Sequence, residues 1–202
     1  MADYKKQDYW QQKAKTEGFP ARSVYKLIEI NEKFSLIKPK TGIRILDLGA
    51  APGSWSLYIL RKFPGCFLVS VDISPLSHQF DNGLFEGKNF CFIQGDFTDS
   101  AVHDNIISQE PFNLILSDAA PSTTGNRLID TTRSLELAET VVSYATNALA
   151  SKGNLVIKLF QGSDSPELLK SIRSIFNSAK SYKPTACRSD SFETYFIGLG
   201  KS

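Results

Sequence analysis

Acidic side chains stand at the ends of three successive apolar runs in the sequence. Asp72 follows the run 66–71, Asp96 follows a second run and Asp118 follows a third. In open α/β sheets, ligands bind beyond the carboxyl ends of the strands, and a carboxylate about 20 residues after a glycine loop accepts hydrogen bonds from ribose hydroxyls. Asp72 occupies that position, and Asp96 beside Phe97 suits the amino group and face of an adenine. Taken singly, each aspartate also fits a turn or a helix cap; their succession favours a nucleotide-type ligand site.

The segment 43–55, I-R-I-L-D-L-G-A-A-P-G-S-W, supplies the glycine loop that precedes these aspartates. Its apolar run stops at Gly49, small residues follow as far as Gly53, and a helical run begins near Ser54. The two glycines do not match the G-x-G-x-x-G spacing that seats a dinucleotide pyrophosphate. With Asp47 on the strand, the loop instead suits a smaller cofactor whose amino-acid portion needs a carboxylate partner. An ordinary strand-to-helix turn, packed for its own sake, is the alternative.

Three further charged residues occupy positions that would bring a charge into the body of the protein. Lys158 interrupts an apolar run, which is costly unless a charge partner or a catalytic task compensates. Lys26 lies beside the apolar stripe of a helix, which could carry it inward. Glu193 begins the last strand. If that strand runs antiparallel to its neighbours, Glu193 approaches Asp118 and Lys158.

These residues need a sheet whose strands end at one edge, and the spacing of the apolar runs predicts such a sheet. Strands are predicted at 43–48, 66–71, 89–93, 112–116, 153–160, 182–186 and 194–200. Helices are predicted at 23–34, 132–149 and 166–176, and the segment 4–16 is predicted to be a short helix or a mobile arm. We therefore expect an α/β fold with the candidate residues gathered at one edge.

The composition indicates one globular domain over residues 1–202, in which 1–41 form a basic helical extension packed on the core. Hydrophobic residues make up 42% and charged residues 22% of the 202 residues. The first ten residues lack the apolar core of a signal peptide, and no run approaches the roughly 20 apolar residues that span a bilayer. We expect a cytoplasmic protein without a membrane partner.

Cysteine and histidine usage gives no disulfide or metal signal. Cys66, Cys91 and Cys187 are widely spaced and contain no C-x-x-C pair, so free buried thiols are expected. Only His78 and His103 are present, which makes a histidine-rich metal site unexpected.

Charge is distributed unevenly along the chain, although its net value is only +2. Residues 1–44 hold ten Lys/Arg against five Asp/Glu, residues 45–169 hold seven against fourteen, and residues 170–202 hold six against two. Basic ends around an acidic centre fit termini that meet a polyanion and a middle that holds a cationic cofactor. A solvated surface of mixed charge explains such counts equally well. Similarly, Tyr9 and Trp10 among lysines fit either base stacking or docking of the segment onto the body.

Five motifs in this chain resemble those of the FtsJ/RrmJ ribosomal RNA large-subunit methyltransferases, and the resemblance covers nearly the whole sequence. The motifs are R-S-V-Y-K-L at 22–27, D-L-G-A-A-P-G-S-W-S at 47–56, S-D-A-A-P at 117–121, V-I-K-L-F-Q-G at 156–162 and S-F-E-T-Y at 191–195. The resemblance implies a Rossmann-like class I S-adenosylmethionine-dependent methyltransferase fold, with a seven-stranded, mostly parallel sheet, an antiparallel last strand and helices on both faces. It also implies methylation of a ribose 2′-hydroxyl.

The catalytic tetrad of that family, Lys-Asp-Lys-Glu, falls on Lys26, Asp118, Lys158 and Glu193. Removing the hydroxyl proton requires a base or cations beside the oxygen, because a ribose hydroxyl does not ionise at neutral pH. The resemblance makes Lys158 the proton acceptor. Asp118 is expected to orient it and to contact the methionine end of the cofactor. Lys26 and Glu193 are expected to hold the hydroxyl and the network.

The resemblance also places S-adenosylmethionine on the glycine loop and the strand-end aspartates. The amino-acid part of the cofactor is expected to be enclosed by Gly49, Gly53 and Trp55. Asp72 is expected to bind its ribose, and Asp96 is expected to bind its adenine. The positive sulfonium suits the acidic middle of the chain, and its activated leaving group makes a metal unnecessary.

The implied substrate is a uridine of 23S ribosomal RNA, free or in the large ribosomal subunit, bound by a monomer that does not act on DNA. The candidate phosphate contacts are Lys5, Lys6, Lys13, Lys15, Arg22, Lys38 and Lys40. An unpaired nucleotide in a loop exposes its ribose better than a duplex does.

Four other functions are considered. The related tRNA ribose methyltransferases share the tetrad and the P-G-S-W loop, so tRNA is the first alternative substrate. A non-catalytic RNA-binding protein of this fold would be expected to lack a tetrad residue or to have a cofactor loop filled by side chains. Neither change is visible in the sequence. A small-molecule methyltransferase has no reason for the basic ends, and the glycine spacing disfavours a nicotinamide-dependent dehydrogenase.

Overall fold

The computed structural model describes residues 2–38, 42–162, 165–188 and 190–202, without the side chains of residues 2–8. Its centre is a seven-stranded sheet in the order β3-β2-β1-β4-β5-β7-β6. The strands are β1 Ile43–Leu48, β2 Cys66–Asp72, β3 Phe90–Gln94, β4 Phe112–Ser117, β5 Leu149–Phe160, β6 Phe176–Tyr182 and β7 Glu193–Lys201. Neighbours among β1 to β5 pair in parallel, and β7 is antiparallel to both β5 and β6. The predicted mostly parallel sheet with an antiparallel last strand is confirmed.

Helices cover both faces of this sheet, as expected. They are α1 Ala2–Thr16, α2 Val24–Phe34, α3 Ser54–Lys62, a 3-10 turn at Leu84–Glu86, α4 Ser100–Ile107, α5 Arg127–Ala148 and α6 Ser165–Ile175. One hydrophobic core contains residues of α1 to α3 together with Ile45 of β1, and a second contains residues of α4 to α6 together with Leu46 and Leu48. Side chains alternate across a strand, so β1 contributes to both cores.

Helix α2 carries Lys26 into the protein because of its amphipathic pattern. Val24, Leu27 and Ile30 are fully buried and dock the helix on the first core. Lys26 lies beside this stripe and is only 8% exposed. The helix ends at Ser35, which adopts a left-handed conformation and donates its backbone N–H to the carbonyl of Asn31 at 2.8 Å.

The structure corrects the predicted elements in three places. Helix α5 begins at Arg127 instead of residue 132, because the Asn126 side chain caps it by accepting the N–H groups of Leu128 and Ile129. The strand predicted at 182–186 is wrong. The edge strand β6 lies earlier in the chain, and its mostly polar sequence contains no apolar run. Helix α4 went unpredicted because only Ile106 within it is fully buried.

The amino-terminal helix packs against α2. The Trp10 ring centroid lies 4.8 Å from that of Tyr25, and Lys13 Nζ lies 4.8 Å from the Tyr25 centroid. Tyr9 is 56% exposed. Trp10 therefore docks the segment onto the body of the protein, whereas the Tyr9 side chain is largely exposed. Within the described ranges, no helix has both the length and the hydropathy needed to cross a membrane.

Candidate active site and its two cavities

Four charged side chains from four separate elements meet at the carboxyl edge of the sheet. Lys26 comes from α2, Asp118 follows β4, Lys158 lies near the end of β5 and Glu193 begins β7. The antiparallel pairing aligns Phe160 with Glu193, so the start of β7 lies at the end of β5. The structure thus brings together all four residues that the sequence singled out.

The four side chains form two ion pairs. Lys26 Nζ lies 2.9 Å from Glu193 Oε2, and Lys158 Nζ lies 3.1 Å from Asp118 Oδ1. Lys158 also donates to the backbone carbonyl of Asp118. Both lysines and Glu193 are less than a tenth exposed. Removing either partner of such a pair would leave an uncompensated buried charge, which is strongly destabilising.

Tyr195 connects the two pairs, and the sequence reasoning assigned it no role. Its hydroxyl donates to Asp118 Oδ1 at 2.6 Å, and Lys26 Nζ lies 5.9 Å from its ring centroid. The side chain is fully buried. Burial, followed by the charges of Asp118 and Glu193, raises the pKa of Tyr195 well above its usual value, so the hydroxyl remains a donor. Its position two residues after Glu193, on the same face of the strand, was the available signal.

Neighbouring charges keep Asp118 and Lys26 ionised despite their burial. Burial opposes ionisation of Asp118, but Lys158 and Lys26 outweigh it and lower the pKa of that carboxyl. Burial also opposes the charge on Lys26, but Asp118 and Glu193 outweigh it and raise the pKa of that ammonium. Lys26 is therefore a permanent cation at neutral pH and not a base.

A buried thiol completes the surroundings of Glu193. Burial and then the charge of Glu193 raise the pKa of Cys187 to about 12, and its side chain hydrogen-bonds that carboxylate. Cys187 is therefore a neutral thiol that donates to Glu193. The prediction of free buried thiols holds for Cys187 and Cys66, whereas Cys91 is only partly buried.

On one side of the tetrad lies a cavity of about 360 Å³, which we call the acidic cavity. Asp72, Asp96 and Asp118 line it, and among the described residues these aspartates are its only charged lining residues. Ile73 and Phe97 add apolar surface to its wall. Ile73 is 67% exposed, and the sequence reasoning missed it although it directly follows the strand-end acid.

Hydrogen bonds to the backbone fix the two outer aspartates of the acidic cavity. Asp72 accepts the N–H of Ala51 on one oxygen and that of Ser74 on the other, both at 2.8 Å. Asp96 Oδ1 accepts the N–H and the hydroxyl of Thr98 at 2.9 and 2.8 Å. The carboxylates are therefore oriented before any ligand binds.

Gly49 allows the loop after β1 and the loop after β4 to approach each other at the floor of the acidic cavity. Its φ is +78°, and a Cβ there would lie 2.6 Å from Ala119 Cα. Both the conformation and the close approach require glycine. The cavity therefore depends on this residue for its shape.

On the other side of the tetrad lies a cleft of about 440 Å³, which we call the basic cleft. Its charged lining residues are Arg22, Lys26, Arg188, Asp190 and Glu193. Lys26 and Glu193 thus face the basic cleft, while Asp118 faces the acidic cavity. The tetrad stands at the boundary between two cavities that differ in the sign of their charge.

This arrangement agrees with the comparison of the sequence with known families. The sequence pattern of the FtsJ-like methyltransferases matches residues 19–201. The chain belongs to the FtsJ-like methyltransferase family.

A relative supports this membership over almost the whole chain, and solved structures share the fold. Ribosomal RNA large subunit methyltransferase E of Treponema denticola is 44% identical over 197 residues, covering 97% of this chain and 96% of the relative. A Plasmodium falciparum protein assigned as a ribosomal RNA methyltransferase has a similar structure, with a TM-score of 0.73, 24% identity and coverage of 91% and 98% of the two chains. Human methyltransferase-like protein 13, solved with SAH, superposes with a TM-score of 0.57, 11% identity and coverage of 87% and 78%. At these identities the two structures show only the shared fold.

Three other residues of the FtsJ-like loop lie outside the lining of the acidic cavity. Gly53 begins α3 with a φ of +102°, and a Cβ there would lie 2.8 Å from the Phe85 ring. Trp55 is 2% exposed and donates its ring N–H to the carbonyl of Ser23 at 2.9 Å. Asp47 is fully buried and accepts the hydroxyl of Ser56 at 2.7 Å. These contacts hold the loop and α2 in place.

The candidate phosphate contacts whose side chains the structure describes are not brought together. The side chains of Lys5 and Lys6, and the whole of Lys40, lie outside the described residues. Lys15 and Lys38 are exposed, and Lys13 packs against Glu17, Trp10 and Tyr25. Of the four candidates whose side chains are described, only Arg22 lines the basic cleft, where it also donates to the carbonyl of Ala186 at 2.8 Å.

Proposed function

We propose that this chain uses S-adenosylmethionine to methylate a ribose 2′-hydroxyl of large-subunit ribosomal RNA, at a uridine of 23S RNA. The observation that carries the proposal is the position of the two ion pairs between the acidic cavity and the basic cleft. A cationic methyl donor suits the first and a polyanionic acceptor suits the second, so the reacting groups would meet at the tetrad.

The charge of the acidic cavity suits the cationic S-adenosylmethionine. Asp72 would bind the ribose, and Asp96 and Phe97 would bind the adenine. Asp118 would contact the methionine end, and the absence of a side chain at Gly49 leaves space at the floor of the cavity. The bound cofactor would supply a methyl group activated by the sulfonium, so the proposed reaction needs no metal. The family membership supports this cofactor.

Lys158 is the proposed proton acceptor for the hydroxyl. Asp118 receives two hydrogen bonds from Lys158 Nζ, one on its carboxylate and one on its carbonyl. A neutral amine has two N–H groups, so those two bonds would leave its lone pair for the hydroxyl proton. Tyr195 holds Asp118 in place through its own hydrogen bond.

Lys26 is the proposed stabiliser of the negative charge that develops on the acceptor oxygen. It stays protonated because Glu193 and Asp118 support its charge, and it faces the basic cleft. A fixed cation beside a developing oxyanion lowers the barrier without any reorganisation during the reaction. Glu193, held by Lys26 and Cys187, would accept a hydrogen bond from the ribose.

The name of the Treponema denticola relative supports ribosomal RNA as the substrate. A 2′-hydroxyl acceptor excludes DNA, which lacks that group. The proposed enzyme acts as a monomer in the cytoplasm, where it meets large subunits.

The test is methyl transfer from labelled S-adenosylmethionine to free large-subunit RNA, to intact large subunits lacking the modification, and to bulk tRNA. We expect label in the large-subunit samples alone, at one alkali-resistant ribose. Label in tRNA would move the chain to the tRNA ribose methyltransferases. The absence of label from all three would favour a protein that only binds RNA.

A further inference from the structure

Two aromatic rings in the basic cleft have no role in the tetrad. The centroids of Phe160 and Phe192 lie 4.8 Å apart with an angle of 60° between the ring planes. Both rings line the cleft and both are only partly buried. Among the described residues, the two hydrophobic cores include neither ring, even as a peripheral member. Core packing therefore does not account for this pair.

The backbone holds the pair firmly beside the tetrad. Phe160 ends β5, and its N–H donates to Ser134 Oγ at 3.0 Å. The next residue, Gln161, donates its N–H to the carbonyl of Phe192 at 2.8 Å. Phe192 directly precedes Glu193, and Phe160 is two residues from Lys158. Two residues of a strand span about 7 Å, which is the scale of one nucleoside.

One arginine side chain contacts this aromatic wall, and two more arginines line the same cleft together with Asp190 and Glu193. The Arg127 guanidinium lies 5.3 Å from the Phe192 ring centroid, and the Arg127 side chain is exposed. Arg22 and Arg188 line the same cleft. Aromatic faces that stack on bases, combined with cations that contact the backbone, are the recurring features of sites for single-stranded nucleic acid.

We propose that Phe160 and Phe192, with Arg127 against Phe192, form the binding site for the base of the acceptor nucleotide. Stacking on this wall positions the ribose at the tetrad and requires an unpaired base. This inference rests on the proposed function for the identity of the acceptor, but the binding of an unpaired base can be measured without methyl transfer.

The binding test compares two fluorescein-labelled RNA probes, an oligouridylate and an oligomer of the same length in which every residue is an abasic ribose. Stacking is worth about 1–3 kcal/mol per base, so we expect Phe192→Ala to weaken oligouridylate binding about 5- to 150-fold. The same substitution should leave binding of the abasic probe unchanged. Phe192→Tyr, which keeps the ring, should bind like the wild type.

A control outside the cleft is Phe67→Leu. Phe67 is also partly buried, and its ring centroid lies 4.5 Å from the guanidinium of Arg44, but it packs at the periphery of the second core and is not part of the cleft lining. We expect it to bind both probes like the wild type. Phe192→Ala should also lower kcat/KM for unmodified large subunits without changing S-adenosylmethionine affinity or the melting temperature.

Equal loss of both probes in Phe192→Ala, or no loss of either, would overturn the inference. Failure of the proposed function would look different. In that case the wild type would transfer no methyl group to large subunits, while the preference for oligouridylate and its loss in Phe192→Ala would persist.

Discussion

Replacing Asp47 with asparagine should remove a pH dependence from the stability of this protein. Asp47 lies fully buried in β1, and among the described residues Oδ1 has no hydrogen-bond partner. Burial raises the pKa of Asp47 from 3.8 to about 7, a hydrogen bond from Ser56 opposes the shift, and the charges of Asp118 and Asp72 add to it. The folded protein therefore binds a proton at this site more tightly than the unfolded chain does.

The sign of the effect follows from linkage. A group whose pKa rises on folding destabilises the folded state progressively as pH rises from the unfolded pKa to the folded one. Here that window runs from 3.8 to about 7. Each pKa unit corresponds to about 1.4 kcal/mol, so ionising Asp47 lowers the free energy of unfolding by about 4 kcal/mol above the window. Between pH 5 and pH 8 the loss is about 2 to 3 kcal/mol.

Urea denaturation of wild type and Asp47→Asn at several pH values measures this difference. Asparagine keeps an acceptor for Ser56 but does not titrate, so the variant should gain about 2 to 3 kcal/mol relative to the wild type between pH 5 and pH 8. All other titrating groups cancel in this comparison. Asp99→Asn, at an exposed residue whose side chain makes no cap hydrogen bond, is the control and should follow the wild type. Parallel curves for Asp47→Asn and wild type would refute the reasoning.

Three further predictions concern the site itself. Lys158→Ala should abolish methyl transfer while calorimetry finds S-adenosylmethionine affinity within a few-fold of wild type; a large loss of affinity would make Lys158 structural. Tyr195→Phe removes the donor to Asp118 and should lower kcat roughly tenfold, about 1.4 kcal/mol, whereas an unchanged kcat would mean that the carboxylate needs no such support. Gly49→Ala should weaken cofactor binding at least about tenfold and lower the melting temperature, because overpacking costs about 1–3 kcal/mol. Gly125→Ala, with a φ of +81° and nothing within 4 Å, is the matched control, and equal effects of the two would refute the clash.

The sequence predicted the sheet well because the parallel strands are continuous apolar runs. Leu68, Val69 and Val71 of β2 are fully buried, since helices cover both faces. The edge strand β6 gave no such signal. In the segment 176–182 only Phe176 is fully buried, so no apolar run marks this strand. The segment 182–186 is equally polar, and it contains Pro184, which cannot donate to a strand ladder. Those later residues form a loop in which Glu29 accepts the N–H and hydroxyl of Thr185.

The sequence predicted the site residues whose charge is unusual for their position in the chain. Lys158 within an apolar strand was such a residue, and its partner Asp118 stands at a strand end. Tyr195 was not detected, because a tyrosine in a buried strand violates no pattern. The structural role of Trp55 was also missed. Its place in the glycine loop predicts a cofactor contact, which stays a prediction, and the structure shows its ring N–H donating to the carbonyl of Ser23.

The arrangement of the tetrad as two ion pairs explains how two lysines can be buried at one site. Each lysine has its own carboxylate, so the cluster as a whole carries no net charge. The three aspartates of the acidic cavity would repel an RNA backbone, so the proposed function needs the RNA on the side of the basic cleft. Under the proposed function, the cofactor and the RNA would therefore bind on opposite sides of the tetrad.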